Sequence, residues 1–159
     1  MAQWAAAGFN LFLHADRAHF GITFASQFKG VHRQMTAGPF VVRNRTRGAT
    51  LASDVQLADT PRARRIGLLK RENLNPGQGL WIFPTQAIHT FGMRFPIDVV
   101  FIDRQMRVKR IYHRLAPFRL TWLVWSAQSV LELPSGSLAC TNTAVGDELQ
   151  ISLCEESSE

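Results

Sequence analysis

The chain has 159 residues, of which 46% are hydrophobic and 19% are charged. These values are typical of one ordinary globular domain and exclude a largely disordered chain. The formal net charge of +6 favours encounter with any polyanion, but it specifies neither a fold nor a chemistry. No stretch approaches the ~18 consecutive apolar residues of a membrane-spanning helix, so we expect no membrane span.

The first 50 residues differ from the rest of the chain. Residues 1–34 show neither sustained helical nor strand periodicity, and a patterned domain begins only after Gly48. We therefore expect residues 1–50 to be a peripheral N-terminal extension, with Met35 as an alternative start that would leave residues 1–34 untranslated. The apolar positions near the N-terminus are interrupted and no basic residue precedes them, which does not resemble a secretion signal. A cytoplasmic location is the expectation.

The first predicted elements are a strand and a helix. Residues 51–58 alternate between two sets of side chains with the two-residue period of a half-buried strand. Thr60 and Pro61 then predict a helix start, because a threonine hydroxyl caps free amides and proline fits the first helical position. This helix is expected to run to about Lys70.

Short apolar or alternating runs separated by turn residues predict the other strands. They lie at residues 79–84, 97–103, 107–113, 130–133 and 149–153. Many short strands with one helix favour a single, mainly β domain over residues 51–153, followed by an acidic tail at residues 154–159. The expected architecture is a compact β sandwich or a partly closed barrel with one short covering helix. A doubly wound sheet would need alternating crossover helices.

Four segments carry specific motifs in a fixed order. They are residues 58–68, 93–103, 130–136 and 145–147. In this order they resemble the signatures of the Domain of Unknown Function 192 family, also called uncharacterised protein family 0127. The resemblance implies a compact, mainly β fold of bacterial and archaeal proteins without an established activity. Many relatives have Trp before Met93 and Lys-Asn after it, whereas this chain has Gly92 and Arg94-Phe95.

The densest polar cluster on the apolar strands is made of five residues. They are His89, Arg94, Asp98, Asp103 and Glu132. Polar side chains in such positions must be paired, exposed or functional. Strand alternation directs Asp98 and Asp103 to opposite faces, so these two are a poor catalytic pair. The plainest interpretation is an ion pair between Arg94 and either Asp98 or Glu132.

Three classes of function stay open at this point. The sequence assembles no catalytic constellation, which favours a non-catalytic binding or accessory module with a polar cleft around Arg94, Asp98 and Glu132. The alternatives are a carboxylate-dependent hydrolase that uses Asp98 and Glu132, and a purely structural domain of a larger assembly. We lean against an enzyme. The expected partner is a protein, a peptide or a small anionic ligand.

Motifs for other chemistries are missing from the sequence. Cys140 and Cys154 lack CxxC spacing, and no HxH, HxxxH, HExxH or GxSxG motif occurs. We therefore predict no metal site and no cofactor. Six basic residues lie between Arg104 and Arg119, but they alternate between the two faces of a predicted strand, so we do not expect nucleic-acid binding.

The best candidate for an interaction surface is residues 115–125. Phe118, Trp122 and Trp125 offer large apolar anchors there, next to loop-forming Pro117 and Thr121. Packing of the same three side chains into the core is the alternative interpretation.

Overall fold

The computed structural model describes residues 39–154. The elements are β1 Phe40–Asn44, β2 Ala49–Ala58, α1 Pro61–Ile66, β3 Gln78–Ile82, β4 Ile97–Ile102, β5 Val108–Leu115, β6 Ser129–Pro134, α2 Ser137–Cys140 and β7 Leu149–Leu153. The prediction of a mainly β domain is confirmed, with two short helices in place of the one expected. No helix within these residues is long and apolar enough to cross a membrane. The expectations for residues 1–34 and for residues 155–159 of the tail lie outside the described part.

All seven strands belong to one sheet with the order β5-β4-β6-β3-β2-β1-β7. Every pairing is antiparallel except that of β2 with β3, whose connection crosses over through α1. The sheet curls into a half-barrel, so the partly closed barrel is found and the sandwich is not. The curl brings Leu149 at the start of β7 to the turn before β5, where its amide donates to the Met106 carbonyl at 2.8 Å.

Strand β1 lies ahead of the domain boundary expected at residue 51. It pairs with β2 on one side and with β7 on the other, so part of the expected extension is an interior strand of the sheet. Phe40, Val42 and Asn44 are buried, whereas Arg43 is exposed. The strand is short and places an asparagine at a buried position, which is why its alternation is hard to read in the sequence.

Helix α1 begins as predicted and ends early. The Oγ1 of Thr60 accepts a hydrogen bond from the Ala63 amide at 3.1 Å and so caps the first turn. The helix ends at Ile66 instead of continuing to about Lys70. Gly67 follows with a φ of 46°, a backbone conformation that stops a helix and that glycine adopts without strain.

Both faces of the sheet bury apolar side chains. On one face the rings of Phe40 and Trp81 meet edge to face, with centroids 5.9 Å apart. We call the opposite face the α1 face, because Ala63 of α1 packs against it. Its core includes Leu68, Leu74, Leu80, Ile82, Ile88, Val99, Phe101 and Val130. Strands β4 and β6 are buried on both faces, which explains why their sequences are apolar apart from Asp98 in β4 and Ser129 and Glu132 in β6.

A buried polar cluster ties β1 to the turn before β7. The Asp147 carboxylate accepts hydrogen bonds from Asn44 Nδ2 at 2.8 Å and from the Ala144 amide at 2.9 Å. Arg47 Nε donates to both of its oxygens, at 3.0 and 3.2 Å. Burial opposes ionisation of this carboxyl, but the hydrogen bonds and the charge of Arg47 outweigh burial and lower the pKa of Asp147.

We expect Asp147→Ala to reduce the free energy of unfolding by about 2–4 kcal/mol at pH 7, because Asn44 and Arg47 lose their acceptor. A lowered folded-state pKa contributes stability above the unfolded pKa that is lost as the pH falls through the folded value. The difference between the two proteins should therefore shrink as the pH falls below the ordinary aspartate pKa of about 3.9, as measured by urea denaturation. Glu148→Ala, which removes an ion pair to Arg45 at the surface, is the control and should cost less than about 1 kcal/mol. A difference that does not change with pH would contradict this assignment.

Candidate functional site

The pairing of β4 with β6 decides where the two candidate carboxyls lie. Asp98 is opposite Leu133, and the next residue of β4, Val99, is opposite Glu132. Directly paired residues share a face of the sheet and successive residues alternate. Asp98 and Glu132 therefore project from opposite faces. The Asp98–Glu132 pair that the hydrolase alternative requires therefore does not form.

Asp98 is fully buried, and its carboxylate accepts hydrogen bonds from main-chain amides. Its Oδ2 accepts hydrogen bonds from the amides of Gly136 at 3.0 Å and Leu138 at 2.9 Å, and its Oδ1 accepts one from the Arg114 amide at 2.9 Å. These bonds connect β4 to the end of β5 and to the turn that enters α2. Asp98 is thus a connector of three segments and takes no part in a cleft with Arg94.

The other members of the predicted cluster are also dispersed. Arg94 is exposed and lies 3.8 Å from the carboxylate of Glu72, so its expected ion pair with Asp98 or Glu132 is wrong. Asp103 accepts main-chain hydrogen bonds in the turn between β4 and β5 and lies 3.7 Å from Lys109 Nζ. Only His89 lines the same pocket as Glu132.

Glu132 forms part of a pocket between α1 and the sheet, which we call the α1 pocket. The side chain stands in the middle of β6, between Leu80 of β3 and Val99 of β4. The residue is 3% exposed, and its Oε2 has no hydrogen-bond partner among the described residues. A buried carboxyl oxygen without a partner costs stability, so its position on the wall of a pocket requires an explanation.

The α1 pocket combines apolar walls with a basic rim. Its volume is about 150 Å³, a size that in an apolar cavity accommodates a molecule such as benzene. The apolar lining includes Leu68, Ile82, Ile88 and Met93, and the polar lining includes Arg64, Arg65, Thr85 and His89. Arg64 donates to the carbonyls of Asp59 and Phe83, which holds its guanidinium in place. Arg65 and His89 are exposed, so the charge on this rim is positive or neutral.

Burial raises the pKa of Glu132 to about 8. The cause is desolvation, because the apolar surroundings disfavour the carboxylate and supply no cation beside it. At neutral pH the side chain is therefore mostly a neutral carboxylic acid with one O–H donor and free acceptor capacity. The hydroxyl of Tyr112, which faces the same side of the sheet across Val99, is a second buried polar atom without a partner among residues 39–154.

Sequence reasoning missed most of the pocket. Arg64, Arg65, Ile88 and Met93 come from α1 and from the connection between β3 and β4, and only the folded chain brings them to β6. The one signal in the sequence was Glu132 itself, an acidic residue inside an apolar run.

The predicted interaction residues are all at the surface. Phe118 is 64% exposed, Trp122 78% and Trp125 79%, so packing of these side chains into the core does not occur. The role of these residues as an interface stays a prediction. Within residues 39–154, no group of three or more His, Cys, Asp or Glu side chains is placed to hold a metal ion, and both cysteines are free thiols.

Fold and site together define residues 39–154 as a small half-barrel domain with a partly enclosed pocket between helix α1 and the sheet. The family model DUF192, described as "Uncharacterized ACR", matches residues 42–151, and this chain belongs to that family. A UPF0127 protein of Thermococcus sibiricus is 32% identical over 120 residues, which cover 72% of this chain and 77% of the relative. The family has no established activity.

Two solved structures share the fold. A protein of unknown function from Novosphingobium aromaticivorans superposes with a TM-score of 0.62 at 21% identity, over 70% of this chain and 83% of that one. A Sinorhizobium meliloti protein, described only provisionally as a transcription regulator, gives 0.58 at 24% identity, over 70% of this chain and 90% of that one. At these identities the two structures support the fold alone.

Asp98→Asn is expected to lower the free energy of unfolding by about 2–4 kcal/mol, because the new amide group meets main-chain N–H donors where an oxygen stood. Urea denaturation measures the loss. The matched control is Asp59→Asn at the exposed Asp59, which should cost less than about 0.5 kcal/mol. If Asp98→Asn were as stable as this control, the connecting role of Asp98 would be wrong.

Glu132→Gln should change how stability depends on pH. Because the folded-state pKa is raised, the unfolded chain ionises first, and the wild type loses stability as the pH rises from about 4.5 to about 8. The loss has a slope of at most roughly 1.4 kcal/mol per pH unit. Glutamine cannot ionise, so the stability of the variant relative to the wild type should grow over this range. Glu72→Gln, at an exposed site, is the control. If the difference in unfolding free energy between Glu132→Gln and the wild type did not change with pH, the raised pKa of Glu132 would be excluded.

Proposed function

We propose that this domain is a non-catalytic binding module and that its site is the α1 pocket. The observation that carries the proposal is the buried Glu132 carboxyl at the pocket, whose Oε2 has no hydrogen-bond partner among the described residues. A leucine at this position would fill the space without the cost of burying a polar group. The presence of a carboxyl at this position supports a role in binding over a purely structural role.

The placement of the carboxyls argues against the hydrolase alternative. Acid–base hydrolysis by two carboxylates requires both groups to reach one substrate. Asp98 and Glu132 lie on opposite faces of the sheet, and the oxygens of Asp98 are occupied by main-chain amides. Among residues 39–154, Glu132 is the single residue with a carboxyl side chain that lines the α1 pocket.

The pocket favours a small anionic ligand of the kind expected from the sequence. Its apolar walls suit an aromatic or aliphatic body of about benzene size. The neutral carboxyl of Glu132 can donate its O–H to an anionic oxygen, a charge-assisted bond that is stronger than one between neutral groups. Arg65 and His89 at the rim would attract the same charge. The cytoplasmic location expected from the sequence stays a prediction.

Benzoate is the probe that tests this proposal, with benzylammonium of similar shape as its counterpart. We expect titration followed by amide NMR shifts to show saturable benzoate binding at residues that line the α1 pocket. Binding should weaken by about tenfold or more between roughly pH 6 and pH 9.5, because it requires the protonated form of Glu132. Benzylammonium is a cation and would favour the ionised form of Glu132. It should therefore bind weakly at the lower pH, where Glu132 is protonated.

Variants of the same residue make the test specific. Glu132→Gln keeps a hydrogen-bond donor without a titrating group, so it should bind benzoate equally at both pH values. Glu132→Leu keeps the apolar volume and loses the donor, so binding should fall by about tenfold. Glu72→Gln is the control and should bind as the wild type does. Folded wild-type protein without saturable benzoate binding, or with tighter binding of benzylammonium at the lower pH, would contradict the proposal.

A further inference from the structure

A second surface, away from Glu132, exposes an unusual amount of apolar area. We call residues 116–125 the aromatic loop. Besides Phe118, Trp122 and Trp125, it exposes Leu120 at 67% and Leu123 at 44%. Single exposed hydrophobic residues are ordinary on a protein surface, but five within ten successive positions form a patch that requires an explanation.

The backbone hydrogen bonds of the aromatic loop hold these side chains in exposed positions. The aromatic loop runs antiparallel to residues 86–90 and is tied to them along its length. The amides of Phe118, Thr121 and Val124 donate to the carbonyls of Thr90, Ile88 and Gln86 at 2.9–3.0 Å. Thr121 is 5% exposed and its hydroxyl accepts a hydrogen bond from the Ile88 amide at 3.0 Å. The inward threonine therefore fixes its neighbours Leu120 and Trp122 in outward positions.

The chain segment that contains the aromatic loop carries charge of one sign. Residues 104–131 include six basic residues and no acidic one. Arg114 and Arg119 lie just before and within the loop, and both are exposed. A partner of this surface must therefore combine an apolar phase with negative charge. Two copies of this chain in a symmetric contact would bring like charges together, which disfavours a dimer through this face.

We propose that the aromatic loop is a docking surface for an anionic phospholipid bilayer, with Trp122 and Trp125 inserted at the level of the headgroups. Tryptophan is enriched at this depth because it has an apolar ring and a polar N–H. Leucine side chains enter the acyl region, and nearby arginines bind the phosphates of anionic lipids. Single-stranded nucleic acid would stack on the aromatic rings but would gain little from Leu120 and Leu123, so a bilayer fits the composition better. The proposal does not depend on the α1 pocket.

The test is sedimentation of the full chain with large vesicles in about 0.1 M salt. One set of vesicles is pure phosphatidylcholine, and the other is a roughly 3:1 mixture of phosphatidylcholine and phosphatidylglycerol. We expect binding to the mixed vesicles at least about tenfold tighter than to the neutral ones. The double variant Trp122→Ser with Trp125→Ser should lose at least about tenfold in binding. Its thermal unfolding should match the wild type, since both rings are exposed.

A charge-matched pair of variants separates a local patch from overall charge. Arg114→Gln with Arg119→Gln should weaken binding to the mixed vesicles by about tenfold. Arg43→Gln with Arg62→Gln removes the same amount of charge from exposed positions on β1 and α1. This second pair should change binding to the mixed vesicles by less than about threefold.

Four outcomes would overturn the proposal. The folded wild type could fail to sediment with the mixed vesicles, or the tryptophan variant could bind them as tightly as the wild type. The two pairs of arginine substitutions could weaken vesicle binding equally. Light scattering could show a dimer that the tryptophan substitutions dissociate. Salt-reversible binding of single-stranded DNA without vesicle binding would likewise assign the surface to nucleic acid.

Discussion

The alternation of side chains across the paired strands β4 and β6 determines how this domain uses its buried carboxyls. Asp98 and Glu132 lie one register step apart, and this single step sends them to opposite faces of the sheet. On one face Asp98 finds three main-chain amides and joins β4, the end of β5 and the entry to α2. On the other face Glu132 finds apolar side chains and a pocket. Two carboxyls in neighbouring strands therefore have different surroundings: Asp98 bonds to the backbone, and Glu132 is the basis of the proposed binding role.

The pocket and the aromatic loop depend on the same piece of backbone. Residues 86–90 supply Ile88 and His89 to the lining of the α1 pocket and form the ladder that holds residues 116–125. Thr121, which is buried in this ladder, bonds to the backbone of Ile88. These hydrogen bonds join the aromatic loop to the segment that lines one wall of the pocket. The two proposed sites are thus physically adjacent, although each can be tested alone.

Much of the fold could be predicted from the sequence, because strand periodicity and capping are local signals. Thr60 with Pro61 gave the start of α1, and the apolar runs gave β2 to β7 within a few residues. Strand β1 was not predicted, because the buried Asn44 interrupts its alternation of apolar and polar residues. The side chain of Asn44 makes a hydrogen bond to Asp147, 103 residues away in sequence. The site was harder to predict than the fold, because it too depends on contacts between residues that are far apart in sequence. Polar residues that cluster in sequence, such as Arg94 and Asp98, separate in space, whereas Glu132 and Arg65 line one pocket only because α1 crosses over the sheet.

The state of Glu132 in the folded protein is the claim on which the binding role depends, and NMR can observe it directly. The side-chain carboxyl carbon of Glu132, assigned by comparison with the Glu132→Gln variant, can be followed by its ¹³C shift as the pH is raised. Burial in the α1 pocket should give a titration midpoint of about 8. A midpoint near the ordinary glutamate value of about 4.3 would show that the carboxyl is solvated or paired, and it would contradict the account of this pocket.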